Sequence, residues 1–204
     1  MLLLLSLAAL AVPTLHIDRA GRILYLLDDG VVTQTAPVGI GRGGLSEKTT
    51  MADLITPTGT FTVDLILTAD GGDVAPEAIA RFSDDAEYAA LLADLPSLFA
   101  NMSRIDFDGD GAPDAAYGTA YIGLTSTEAV TGPKLRRYRG GTAYWYSIAL
   151  HGTPDPDNLG AARSGGCVHL SEGLLAALTA EGRVTIGSPV VIADGPPIRP
   201  EPAR

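Results

Sequence analysis

The segment 164–170 reads Ser164-Gly165-Gly166-Cys167-Val168-His169-Leu170, and it holds the only cysteine of the 204-residue chain. A second segment, His151-Gly152-Thr153, lies sixteen residues upstream of that cysteine. A lone cysteine has no disulfide partner within its chain, and the glycines before it leave little side-chain bulk around the thiol. A histidine that folds back beside this thiol supplies a base. The two segments therefore predict a thiol nucleophile activated by an imidazole.

Each of these residues taken alone also has a structural explanation. A free cysteine is often a small buried hydrophobe, and a single histidine is often a structural residue. We expect an imidazole beside Cys167 to raise the thiolate fraction above the few per cent of a free thiol at neutral pH. The backbone N–H groups of Gly165, Gly166 and Cys167 lie in a segment almost free of side chains, which suits an oxyanion hole. The combination favours catalysis.

The composition favours one β-rich domain. Hydrophobic residues make up 46% of the chain, which is enough for a packed core, and the length fits one substantial domain. The chain also has 24 glycines and 14 prolines, so turns must be frequent. Frequent turns suit a mainly β fold better than a helical bundle.

The formal net charge of −10 and the lack of any Lys/Arg run argue against nucleic acid and anionic membrane surfaces as partners. The first thirteen residues are apolar and too few to span a bilayer as a helix. We interpret 1–13 as a secretory signal segment with a cleavage site at Ala9-Leu10-Ala11. With such a signal, the protein is expected to be exported to the periplasm or cell envelope, without stable membrane insertion. The alternatives for this segment are a buried first strand or a misplaced start codon.

Apolar runs bounded by turn residues predict strands in both halves of the chain. Between them, apolar residues recur at helical spacing from Tyr88 to Met102, with a capping-box start at Asp84 and a break or restart at Pro96. The predicted strands are 15–18, 23–27, 31–35, 63–67, 117–124, 142–150, 184–186 and 190–192; a helix is predicted from Ser171 to Gly182, and a disordered Pro-rich tail over 195–204. The predicted fold is mainly β with a helical insertion.

The active-site segments resemble a known family. His151-Gly152-Thr153 followed by Ser164-x-Gly166-Cys167-Val168 resembles the signature of the L,D-transpeptidase catalytic domain, the YkuD-type fold. Thr56-Pro57-Thr58-Gly59-Thr60-Phe61 resembles that family's Thr-Pro-x-Gly-x-Phe segment. The resemblance implies a β-sandwich-like catalytic domain over residues 14–194, with an insertion over about 68–116.

The resemblance also implies an activity, peptidoglycan L,D-transpeptidation in cell wall biogenesis. Family members cut a stem tetrapeptide after its third residue, release D-Ala and form a cysteine thioester that a neighbouring amine resolves. By position, Cys167 would be the nucleophile and His151 the general base. Gly166 and the Cys167 backbone would stabilise the oxyanion, and Ser164 would shape the loop and support the imidazole.

The chain departs from the family pattern at two positions beside the cysteine. Gly165 stands where many members have histidine, and His169 stands where arginine or asparagine is common. Arg163 can take over the neutralisation of a substrate carboxylate, the alternative being a solvated arginine. For His169 the alternative is a structural hydrogen bond. The predicted substrate-binding residues are Gly152, Gly165, His169 and Arg163.

An acidic loop lies outside the family segments. Asp106, Asp108, Asp110 and Asp114 occupy positions one, three, five and nine of this loop, with Gly111 at position six. This spacing is typical of calcium-binding loops, although Tyr117 replaces the acidic residue at position twelve. We interpret the loop as a structural calcium site that anchors the insertion; the alternative is a solvated acidic turn. No cofactor is expected for catalysis, because a thiol nucleophile needs no metal.

Two other functions fit the same sequence. One is an L,D-carboxypeptidase or wall-peptide hydrolase with the same Cys/His site, in which water takes the acyl group. The other is a non-catalytic, calcium-stabilised module that binds the cell wall. The two altered positions beside Cys167 give this second alternative some weight, and L,D-transpeptidation stays the favoured function.

Overall fold

The structure is a computed structural model that describes residues 12–81, 86–127 and 148–198. Its strands are β1 (Thr14–Asp18), β2 (Ile23–Asp28), β3 (Val31–Pro37), β4 (Ile40–Gly41), β5 (Gly59–Thr68), β6 (Gly71–Val74), β7 (Ala120–Ser126), β8 (Ile148–His151), β9 (Ala162–Ser164), β10 (Val168–His169) and β11 (Pro189–Ala193). Its α-helices are α1 (Pro76–Arg81), α2 (Ala86–Ala93), α3 (Leu95–Met102) and α4 (Glu172–Ala180), with short 3-10 turns at Met51–Asp53 and Pro156–Asn158. The predicted mainly β class with a helical insertion is confirmed.

One curled mixed sheet organises the described residues. Its strand order is β10-β8-β7-β5-β11-β1-β2-β3, and β6 pairs with β5 at the side. The pairs β1–β11 and β8–β10 are parallel, whereas the other neighbours are antiparallel. A second sheet contains only β4 and β9. Because β11 lies between β1 and β5, the last strand joins the opening meander to the strands that carry the site.

The main core lies on one face of this sheet. Alternate strand residues such as Leu24, Ile122 and Leu150 are fully buried there, and they pack against Leu175 of α4. Successive side chains of a strand point to opposite faces, so each strand contributes every second residue to this core. Burying such a side chain stabilises the fold by about 1.5–3 kcal/mol relative to leaving it exposed.

A smaller apolar cluster lies on the opposite face, beneath the helical insertion. Phe99 of α3 packs with Leu67, Tyr121 and Ala149, and Cys167 lies against this cluster. Pro96 falls in the first turn of α3, where its missing N–H costs no helical hydrogen bond, and the prediction that it restarts the helix is confirmed. The insertion therefore covers the sheet face that also carries the cysteine.

The predicted strand 184–186 is wrong. Val184 is buried, but its N–H bonds to the Leu178 carbonyl oxygen, which closes α4. The Ser188 N–H donates to the Thr185 carbonyl oxygen, and the Ser188 hydroxyl accepts the Thr185 N–H. These two bonds close a turn, which prevents an extended strand. The pattern at 190–192 does form β11, and Ser171 caps α4 as predicted.

Several predicted features lie outside the described residues. They are the signal segment over 1–11, the cap at Asp84, the predicted strand before Ile148, and the end of the Pro-rich tail over 199–204. Among the residues that the structure does describe, no helix combines the length and the hydrophobicity that crossing a bilayer requires.

Candidate active site

Strand register brings three rings together on the face opposite the main core. His151 of β8 pairs with Tyr121 of β7 on one side and with His169 of β10 on the other. The ring centroids of His151 and His169 are 4.8 Å apart, and those of His151 and Tyr117 are 5.0 Å apart. Cys167 lies in the loop directly before β10 and packs against the cluster that contains Tyr121 and Ala149 on this face.

His151 is held in one tautomer by the residue that follows it. Its Nδ1 lies 2.7 Å from the Gly152 carbonyl oxygen. Because a carbonyl only accepts hydrogen bonds, Nδ1 carries the proton of the neutral ring and Nε2 carries the lone pair. Burial, and next the neighbouring His169, lower the pKa of His151 to about 4, against the opposing effect of the Gly152 and Ala116 carbonyls. The ring is therefore neutral at neutral pH and can accept a proton.

The environment of Cys167 favours the protonated thiol. Burial raises the pKa of the Cys167 thiol and outweighs the backbone hydrogen bond from Ala149 and the charge of Lys48, which lower it. The expectation that the site raises the thiolate fraction at rest is therefore wrong, because desolvation disfavours the anion more strongly than its neighbours favour it. Deprotonation must accompany attack on a substrate.

The nucleophile loop, residues 164–167, is a tight turn braced by one hydroxyl. Ser164 is buried, and its Oγ donates to the Cys167 carbonyl oxygen at 2.5 Å while it accepts from the Gly166 N–H at 3.0 Å. Gly166 has a φ of 127°, which side-chain-bearing residues rarely adopt. Ser164 thus holds the shape of the loop. The predicted oxyanion contact from the Gly166 N–H does not fit this arrangement, since that N–H is already bonded.

Thr56 supports the nucleophile loop from below, a contact that the sequence analysis missed. Its buried hydroxyl donates to the Gly166 carbonyl oxygen at 2.9 Å and accepts from the Gly41 N–H at 2.8 Å. The buried Arg19 in turn donates to the Thr56 carbonyl oxygen at 2.6 Å and pairs with Asp194 at 2.7 Å. The Thr-Pro-x-Gly-x-Phe motif was a signal for this residue, but the motif did not reveal its partner 110 residues away.

Lys48 and Asp53 form a second support that no sequence pattern indicated. The Lys48 ammonium lies 2.7 Å from the Asp53 carboxylate and donates to the Ile55 carbonyl oxygen at 2.9 Å. Burial opposes ionisation of Asp53, but hydrogen bonds from Lys48 and from backbone N–H groups hold the pKa of Asp53 below its ordinary value. The Asp53 carboxylate is therefore ionised at neutral pH.

A cavity of about 640 Å³ opens beside the nucleophile loop. Cys167 and His151 line it together, and the predicted substrate-binding residues Gly165, His169 and Arg163 line it as well. Further lining residues are Arg42, Phe107, Asp108, Asp114, Tyr117 and Ser164. The candidate nucleophile and the candidate base thus share one accessible cavity, and the sequence analysis identified neither Arg42 nor Phe107.

Of the predicted substrate-binding residues, His169 lines the cavity, whereas Gly152 does not. The Nδ1 of His169 is buried without a hydrogen-bond partner among the described residues, beside the cavity that His169 lines. Gly152 lies behind the site instead, where a Cβ would meet Glu172 Oε1 at 2.0 Å. The other carboxylate oxygen of Glu172 accepts from the Thr119 N–H and hydroxyl. Gly152 is needed for close packing behind His151, and the prediction that it contacts substrate does not fit this position.

The acidic loop, residues 106–114, reaches the same cavity. Carboxylate oxygens of Asp106, Asp108 and Asp114 lie within 4.8 Å of one another, whereas Asp110 does not belong to this group. Asp110 instead accepts the Ala112 N–H at 2.7 Å. The four-carboxylate prediction is therefore corrected to three. Hard carboxylate oxygens in this arrangement fit calcium, which stays a prediction.

The chain belongs to the L,D-transpeptidase catalytic domain family, YkuD, whose profile matches residues 13–192. In fold it is similar to L,D-transpeptidases from Xylanimonas cellulosilytica (17% identity, TM-score 0.40), Mycobacterium smegmatis (16%, 0.42) and Mycobacterium tuberculosis (15%, 0.47). Each similarity covers 89% of this chain, and the chain spans 60%, 58% and 57% of those structures, respectively. No curated protein matches the chain in sequence.

Proposed function

We propose that this protein is a cysteine-dependent acyltransferase that performs L,D-transpeptidation on peptidoglycan stem peptides. The observation that carries this proposal is that Cys167, which directly precedes β10, and His151 of the adjacent strand β8 line one cavity. Family membership supports the substrate class, because the family acts on peptidoglycan peptides. The proposed action on the wall agrees with the predicted export to the cell envelope.

The acylation step begins with a protonated thiol and a neutral imidazole. As the Cys167 sulfur attacks the carbonyl after the third stem residue, the thiol proton moves to Nε2 of His151. The Gly152 carbonyl stabilises the resulting imidazolium through Nδ1. The C–N bond then breaks, the departing D-Ala amine takes the proton from His151, and a thioester remains on Cys167.

The second step transfers the acyl group. An amine of a neighbouring stem attacks the thioester carbonyl and loses its proton to His151, and the C–S bond breaks. The thiolate that leaves recovers that proton, so both residues return to their starting forms. If water replaces the amine, the same residues release a free tripeptide. Exclusion of water from the cavity therefore decides between transfer and hydrolysis.

The positions of two arginines support the proposal that the substrate carries a carboxylate. Arg42 directly follows β4 and Arg163 lies in β9, and Arg42 Nη1 lies 3.5 Å from the Arg163 carbonyl oxygen. Both line the cavity beside the nucleophile loop, and neither forms an ion pair among the described residues. Guanidinium groups bind carboxylates in a fork-like geometry, so we propose that they receive the terminal carboxylate of the donor peptide.

The test is incubation of the full chain with a defined stem tetrapeptide and an amine-bearing acceptor stem, followed by mass spectrometry. We expect cross-linked dimers and a covalent carbapenem adduct at Cys167, and loss of both in Cys167→Ala. Tripeptide without dimer would assign the hydrolase alternative. Absence of any adduct, together with wall binding that survives Cys167→Ala, would assign the non-catalytic module.

A further inference from the structure

A buried ion pair beneath the site takes no part in the chemistry described above. The Lys48 side chain is 1% exposed and that of Asp53 is 15% exposed. Removing an ion from water costs several kcal/mol, which excellent hydrogen-bond geometry can offset. Asp53 meets that condition, because besides Lys48 it accepts the N–H groups of Thr49, Thr50 and Ile55. Hydrogen bonds therefore hold this ion pair in a fixed geometry within residues 48–55, directly before Thr56.

This ion pair lies next to the nucleophile loop. Lys48 donates to the Ile55 carbonyl oxygen at 2.9 Å, and a Cβ placed on Gly166 would lie 3.2 Å from that same oxygen. Thr56, the next residue, donates to the Gly166 carbonyl oxygen. The Ile55 carbonyl is thus fixed between the ammonium and the residue that precedes Cys167. Without the ammonium, the negative end of this carbonyl dipole would face the loop uncompensated.

We propose that Lys48 is a positioning residue for the nucleophile: its ammonium, held by Asp53, fixes the Ile55 carbonyl under Gly166 and provides the positive charge that stabilises the Cys167 thiolate as it forms. This inference rests on the proposed role of Cys167 as the nucleophile. It gives the burial of Lys48 a function beyond stability, because a thiolate in a desolvated site needs a nearby cation.

The electrostatics of the thiol agree with this position. Burial raises the pKa of Cys167, and the charge of Lys48 acts in the opposite direction. The other titratable or charged groups that share the cavity with Cys167 are Tyr117, His151, His169, Arg42, Arg163, Asp108 and Asp114. All of these remain in place when only Lys48 or Asp53 is changed, so the two variants isolate the ion pair.

The experiment measures the rate of Cys167 alkylation by iodoacetamide as a function of pH in the full chain. Lys48→Met removes the positive charge and should raise the midpoint of the profile by about half a unit to one unit, slowing alkylation at pH 7 about three- to tenfold. Asp53→Asn leaves the ammonium uncompensated and should shift the midpoint down. Lys48→Arg keeps the charge and should restore most of the wild-type profile.

Opposite shifts in Lys48→Met and Asp53→Asn would support the proposal. A purely structural pair would loosen the loop in both variants and move both profiles in the same direction, which would overturn it, as would two unchanged profiles. Urea unfolding of each variant reports whether it is folded. If Lys48→Met does not fold, two comparisons with the wild type still decide the question. The midpoint should shift down in Asp53→Asn and stay close to the wild-type value in Lys48→Arg.

Alkylation requires only the thiol and not the transfer of a peptide. The proposed transpeptidation can therefore fail while the midpoint shifts are observed, in which case Lys48 tunes a reactive thiol of another function. Conversely, dimer formation with unchanged alkylation profiles would retain the transpeptidase and reject the role of Lys48.

Discussion

The nucleophile loop and the acidic loop line the same cavity but are held in opposite ways. Residues 164–167 are braced by Ser164 from within and by the buried Thr56 from below. Residues 106–114 are mostly exposed, and their carboxylates accept backbone N–H groups of the same loop, such as Gly109 and Gly111 bonded to Asp106. The wall formed by residues 164–167, the braced wall, is hydrogen-bonded to distant buried residues. The wall formed by residues 106–114, the acidic wall, is stabilised by hydrogen bonds within its own loop.

This difference indicates a division of labour. A nucleophile must be held within a fraction of an ångström of its productive geometry, and buried hydrogen bonds from distant strands achieve this. A self-contained loop can change its side chains without disturbing the core, and it therefore suits ion or substrate selection. Substitutions on the braced wall should therefore reduce stability and the rate of dimer formation far more than substitutions on the acidic wall.

The largest expected effect is on the rate after loss of the base. His151→Ala should reduce dimer formation from stem peptides by about 100- to 10,000-fold, because no group remains to accept the thiol proton. His16→Gln is the matched control, since His16 bonds to the Gly195 carbonyl oxygen and lies outside the cavity lining. Equal rates for the two variants would remove His151 from the mechanism.

The second effect concerns stability and pH. The folded-state pKa of His151 is about 4, below the ordinary 6.5, so the unfolded chain binds the proton more readily between these values. Stability should therefore fall as the pH drops from 6.5 towards 4, with up to about 3 kcal/mol of this loss due to His151. Urea unfolding at pH 7 and pH 4.5 measures it. A His151→Gln variant should lose that much less stability; an equal loss would contradict the assignment.

A third change acts on the support below the nucleophile loop. Thr56→Val keeps the shape of the side chain but leaves the Gly41 N–H and the Gly166 carbonyl without their buried partner. We expect a loss of about 1–3 kcal/mol in the free energy of unfolding and a lower kcat. Thr56→Ser should restore both, because it keeps the hydroxyl. If Thr56→Val retained full stability and kcat, the nucleophile loop would not depend on this brace.

The smallest effect is expected on the acidic wall. If the three clustered carboxylates bind calcium, added calcium should raise the melting temperature of the wild type, and Asp108→Asn should abolish that increase. Asp110→Asn is the matched control, since each residue accepts one backbone N–H but only Asp108 belongs to the cluster. An identical calcium response in both variants, or none in the wild type, would reject the site. Dimer formation should change little in either variant.

Local sequence signals predicted the elements well where one local preference dominated. Apolar runs bounded by turn residues identified β1, β2 and β5, Pro96 identified the start of α3, and Ser171 identified the cap of α4. The same reasoning failed at 184–186, because an alternating apolar pattern can also serve a buried turn. Only the hydrogen bonds to Leu178 and Ser188 distinguish the two.

The amino-acid sequence alone determined the family, the mainly β class and the identity of the two residues proposed to react, because short motifs encode residue types and their spacing. Only the tertiary structure decided how they are supported, protonated and enclosed. Thr56 bonds to Gly166, which lies 110 residues further along the chain, and burial on folding raises the pKa of the Cys167 thiol. Contacts between distant segments and desolvation are properties of the packed molecule, so no local pattern in the chain contains them.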